Sequence, residues 1–117
     1  MTVKECYDAM GGNYADVESR LRKEERIQKF LLRVLNDTSY ELLCTSMKDR
    51  NMPEAFRAAH TIKGICQNLS LDKLFKSADC LAELLRNREE YGEDLEPAMA
   101  QVTEDYQMTI ECIKKLQ

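Results

Sequence analysis

Apolar residues recur at spacings of three and four along almost the whole chain, and no run of β-branched residues alternates with polar ones. At that period an α-helix returns to the same face, so each such segment has a stripe to bury against another helix. Breakers are few, with 4 Gly and 2 Pro in 117 residues. A chain of this length supplies one hydrophobic core and one domain. The spacing therefore predicts an all-α fold.

Taken in order, Thr2 is placed to cap a short helix holding Val3, Tyr7 and Met10, and Gly11-Gly12 ends it where positive φ costs little. Asn13 caps a second short helix with Tyr14, Val17 and Leu21. The run from Arg20 to Arg26 mixes both signs and reads as a solvated helix start. Ile27, Phe30, Leu31, Val34 and Leu35 define the next amphipathic helix, and Asn36 to Ser39 breaks it. Tyr40, Leu43 and Met47 mark another, after which Pro53 sits in the first turn of its successor. Ser70 is expected to cap the following helix, whose buried arc runs from Leu71 to Leu85 while Asp72, Lys76, Asp79 and Glu83 face away. A last helix begins between Asp94 and Pro97 and buries Leu95, Met99, Val102, Tyr106, Ile110 and Ile113. Long helices with short connections predict an up-and-down antiparallel four-helix bundle within residues 24–117. Residues 1–23 form two short helices that cover one end, and the whole is one domain.

Charge and composition narrow the function. The formal net charge is −4 and no basic cluster is present, so nucleic acid is not an expected partner. No apolar stretch is long enough to span a bilayer, and the start Met1-Thr2-Val3-Lys4-Glu5 is too polar for a signal peptide. Cys6, Cys44, Cys66, Cys80 and Cys112 show no CxxC spacing and an odd count, which fits reduced, core-filling thiols and a cytoplasmic location. With one histidine and no carboxylate three or four residues beyond it, a metal-binding bundle lacks ligands. Function must lie on a surface.

That surface is legible in residues 55–69, one helix carrying His60. With His60 at 0° and about 100° per residue, Lys63 falls at about 300°, Gly64 at about 40°, Gln67 at about 340°, Arg57 at about 60° and Phe56 at about 320°. Ala55, Ala59, Ile62, Ile65, Cys66 and Leu69 occupy the opposite side. His60 thus faces solvent, beside a cation and a residue without a side chain. An imidazole nitrogen is nucleophilic near neutral pH, and an ammonium one turn on would stabilise charge on a phosphoryl group it accepts. Gly64 costs about 1 kcal/mol relative to alanine inside a helix and points away from the core, so close approach by another protein is the better reason for it. Gln67 is placed to hydrogen-bond the ring or the phosphoryl oxygens, and Arg57 is a second cation.

Ala59-His60-Thr61-Ile62-Lys63-Gly64, followed by Asn68-Leu69, closely resembles the A-H-x-L-K-G-x-x-x-x-L-G motif of the histidine-containing phosphotransfer (HPt) domain. Gly11-Gly12-Asn13 is similar to the family's N-terminal helix break, and the resemblance extends over nearly the whole chain. Ile62 replaces the usual Leu, and Ser70 stands where the motif has Gly. The resemblance implies that His60 is phosphorylated, that Lys63 is its charge partner and that Gly64 gives clearance. Gln67 matches a position where such proteins often place a polar residue near the ring. It implies a relay, without autonomous kinase activity, between His60 and an aspartate on the receiver domain of a response regulator or hybrid sensor histidine kinase. No cofactor is expected on this chain, Mg²⁺ being held by the receiver, and a monomer suffices. Phe56, Arg57 and Lys73 are the candidate docking residues; residues 52–76 carry four cations against two anions, which suits an acidic partner face. The competing possibility is a helical adaptor that binds without phosphoryl chemistry.

Overall fold

A computed structural model describes residues 1–117, with seven helices and no strand. These are α1 (Val3–Ala9), α2 (Tyr14–Leu21), α3 (Glu24–Val34), α4 (Ser39–Lys48), α5 (Met52–Leu69), α6 (Asp72–Leu85) and α7 (Leu95–Lys114). The four helices α4 to α7 form the up-and-down bundle, α5 packing on α4 and α6, and α6 on α7. The ring closes where Tyr40 of α4 stacks on Tyr106 of α7, with ring centroids 4.0 Å apart and planes within 8°. Tyr40 Oη also donates to Thr103 Oγ1 at 2.8 Å. The result is a rod of 43 × 23 × 20 Å.

Local chemistry sets the helix ends. Thr2 and Glu5 form a reciprocal capping box at α1, and Asn13 Oδ1 accepts from the Asp16 amide at α2. Asn51 Oδ1 accepts from the Glu54 amide at α5, where Pro53 takes a first-turn position. Gly11 has φ of +70°, and a Cβ there would lie 2.9 Å from Lys73 Cβ, so glycine is required twice over.

Together α1 and α2 cover the end of the bundle where α5 stops and α6 starts. Buried Tyr7 donates its hydroxyl to the Leu69 carbonyl at 2.7 Å, and the Asn13 amide donates to the Ser70 carbonyl at 2.9 Å. The third helix, α3, lies against this cap and also reaches α5 and α7; Gln28 Nε2 donates to the Leu116 carbonyl at 3.3 Å.

Two expectations change. Ser70 does not cap α6; it terminates α5 in the left-handed region, at φ 56° and ψ 40°, and Leu71 is the α6 N-cap. Its hydroxyl donates to Asp16 Oδ2 at 2.6 Å and accepts from Arg20 at 2.8 Å. Arg20 further donates to the Asn68 carbonyl at 2.7 Å. A left-handed serine is thus held where glycine would be at ease, because α2 hydrogen-bonds both its side chain and the carbonyls of the last helical turn.

The buried face of α7 is also rotated. Leu95, Val102 and Ile113 are buried as expected, but Met99, Tyr106 and Ile110 are half-exposed, and Asp105, Thr109 and Cys112 take the interior. Asp105 tolerates this because Gln101 donates to its carboxylate at 3.1 Å and Lys73 Nζ lies 3.9 Å away, while Thr109 donates to its carbonyl. The thiols of Cys6 and Cys66 are buried, and burial pushes them up to about 11 and about 12, so they stay protonated core groups.

Candidate functional site

Small residues on the inner side of α5 decide what its outer side can offer. Ala55, Ala58 and Ala59 are fully buried, so α4 and α6 approach closely and the helix is held along its length. The opposite stripe then projects outward, with His60 and Gln67 exposed and Phe56, Lys63 and Gly64 half-buried. The imidazole does not lie among aliphatic groups.

Around His60 the side chains are ordered. Phe56, one turn earlier, stacks on the imidazole with ring centroids 5.7 Å apart and planes 25° from parallel. Arg86, at the end of α6, places its guanidinium 5.1 Å from the Phe56 centroid. Lys63 Nζ lies 2.8 Å from Asp79 Oδ1 of α6 and 5.9 Å from the Phe75 centroid, and the lysine side chain is 23% exposed. At Gly64 an added Cβ would meet nothing within 4 Å. Internal packing therefore does not account for this glycine, and the space above the turn after His60 is open.

Further from the ring the expected residues separate. Arg57 is exposed and paired with Glu54, while its carbonyl accepts from Thr61. Lys73 does not join the stripe: its amide donates to the Gly11 carbonyl and its stem packs against Gly11, level with the covered end of the bundle. That position is about 14 Å along the helix axis from His60, at 1.5 Å per residue over the nine residues to Leu69.

Two residues of α6 and its C-cap Arg86 complete the site, and periodicity alone did not mark them. Phe75, Asp79 and Arg86 border the stripe because the α5–α6 turn is tight. Lys63 and Asp79 lie eight residues either side of Leu71, and Phe56 and Arg86 fifteen, so the antiparallel register pairs them. Counting outward from the turn is the signal that finds them. Glu83 belongs to the same border. Its carboxyl is held below the usual range, first by the hydrogen bond from Arg86, then by the Arg86 charge.

The family model for the Hpt domain matches residues 24–111. The chain belongs to the Hpt domain family. No curated protein and no solved structure matches it. Hpt domains act in histidine phosphotransfer in phosphorelay signalling, as carriers that interact with response-regulator receiver domains. In this Hpt domain the matched region holds all of the His60 stripe and its α6 border, whereas α1 and α2 precede it. No helix of the Hpt domain is long and apolar enough to cross a membrane.

Proposed function

We propose that His60 carries the phosphoryl group, taking it from an aspartyl phosphate of a receiver domain and returning it to such an aspartate. In the forward step an unprotonated ring nitrogen attacks phosphorus, an N–P bond forms, and the P–O bond to the aspartate breaks so that the carboxylate leaves. The metal ion that assists at the aspartate belongs, in this reading, to the receiver.

The observation that carries the proposal is the exposed imidazole beneath the open space at Gly64. An in-line transfer needs the incoming aspartyl phosphate within about 3.5 Å of the ring, and a side chain at position 64 would stand in its path. Lys63 supplies a positive charge one turn on, partly desolvated and so more effective than a fully exposed ammonium. Gln67, with no side-chain hydrogen bond of its own, is free to donate to a phosphoryl oxygen. Phe56 supplies apolar docking area and fixes the ring by stacking, and Arg57 stands at the rim.

Phosphotransfer profiling tests this. The protein is incubated with a panel of phosphorylated receiver domains, with His60→Gln alongside. Rapid, acid-labile labelling of the wild-type chain by a subset of receivers is the expected result, with none in His60→Gln. Equal labelling of His60→Gln would remove His60 from the mechanism.

A further inference from the structure

The Lys63–Asp79 pair is more than a surface ion pair, because its cation is the one the reaction needs. Asp79 Oδ1 is 2.8 Å from Lys63 Nζ, across the α5–α6 interface, with the Phe75 ring beneath the ammonium. Lys63 is the one ion-pair partner of Asp79. The neighbouring carboxylate, Glu83, is engaged by Arg86 at 3.0 and 3.3 Å and is not free to replace it. Both members of the pair also act on Glu83, Asp79 raising its carboxyl and Lys63 lowering it, so the two charges share one local field.

Resting on the phosphotransfer reading of His60, we infer that Asp79 is a positioning residue: it holds the Lys63 ammonium while His60 is bare and competes for it once the phosphoryl group arrives. No bond is made or broken at Asp79. With the phosphoryl dianion on His60, the ammonium one turn away has two anionic claimants, and any gain at the phosphoryl oxygens is offset by what it gives up at Asp79. Phosphorylated His60 is therefore less stable than a free lysine would make it, and the group passes on more readily. A relay needs such a balance, since a carrier that binds its cargo too well does not release it.

The phosphoryl equilibrium reads this directly. Phosphoramidate, a small donor that needs no docking, first counts the reactive sites in each preparation. Wild type, Asp79→Asn and Asp79→Glu are then mixed with a receiver selected by profiling, and the distribution of label between His60 and the receiver aspartate is measured when it stops changing. Asp79→Asn is expected to shift it about fivefold toward His60, the order that a half-exposed ion pair sustains. Asp79→Glu, which keeps the charge, stays within about twofold of wild type. In a Lys63→Ala background the Asp79→Asn change shifts the distribution by less than about twofold, because Asp79 acts through the lysine. An unchanged distribution in Asp79→Asn overturns the inference, as does an equal shift with and without Lys63. A wild-type chain that takes label from neither phosphoramidate nor any receiver defeats the phosphotransfer reading along with it; a labelled wild type with an indifferent Asp79→Asn defeats only the role of Asp79.

Discussion

Lys63 and Gly64 follow His60 by one turn, and the first offers charge where the second offers space. Removing the charge in Lys63→Ala is expected to slow phosphotransfer by one to two orders of magnitude, about 1.4 to 2.8 kcal/mol in the barrier. Single-turnover kinetics with a phosphorylated receiver measure this, and unchanged kinetics would take the lysine out of the reaction. Filling the space separates stability from function. Gly64→Ala should raise stability by about 1 kcal/mol in urea unfolding, since the new methyl meets nothing and a mid-helix glycine is costly. Gly64→Leu should keep its helicity and lose receiver binding; a Leu variant that binds normally would return the glycine to a role in the fold. The exposure of His60 was legible in the three-and-four period, because Arg57, Lys63, Gly64 and Gln67 share its face while the aliphatic residues of the helix fall on the opposite one. The company it keeps was not. Asp79 looked like ordinary solvated surface on its own helix, and only the register of the α5–α6 hairpin turns it toward Lys63.

At the level of elements, the join between α5 and α6 depends on α2. Ser70 adopts left-handed backbone angles that disfavour a side chain, and the Asp16 and Arg20 contacts offset that cost. Ser70→Ala keeps the strain and loses both hydrogen bonds, so it is expected to destabilise by about 1 to 2 kcal/mol in thermal or urea unfolding. Asp16 carries a pH dependence as well. Its carboxyl lies below the ordinary range, first because the Ser70 hydroxyl donates to it and second because of Arg20. A carboxylate depressed in the folded state contributes stability that is fully present above its unfolded value and lost as pH falls through its folded one. The α2–α5 clamp should therefore loosen below about pH 4, seen as faster amide exchange at Asn68 to Leu71, and Asp16→Asn should abolish that acid dependence. Composition showed Ser70 as a capping residue but not which helix it would cap. A polar residue between two helices serves either, and here the tertiary contacts from α2 decide.

Across the whole molecule, the bundle is a rigid mount and the chemistry sits on its side. The number and type of the helices followed from hydrophobic spacing, since helix ends were signalled by Thr2, Asn13, Pro53 and Gly11. The rotation of α7 did not follow, because Asp105 and Thr109 become interior residues only through partners on their own helix and Lys73 on another. Leu81 is fully buried at the centre of α6, and Leu81→Ala should cost about 2 to 5 kcal/mol in unfolding free energy while leaving the surface stripe in place. The most direct measurement of the central claim is the labelling of His60 itself. Incubated with a panel of phosphorylated receivers, the wild-type protein should acquire acid-labile phosphate that tandem mass spectrometry under mild conditions maps to His60, and His60→Gln should acquire none. Label on another residue, or equal label on the folded His60→Gln protein, would contradict it.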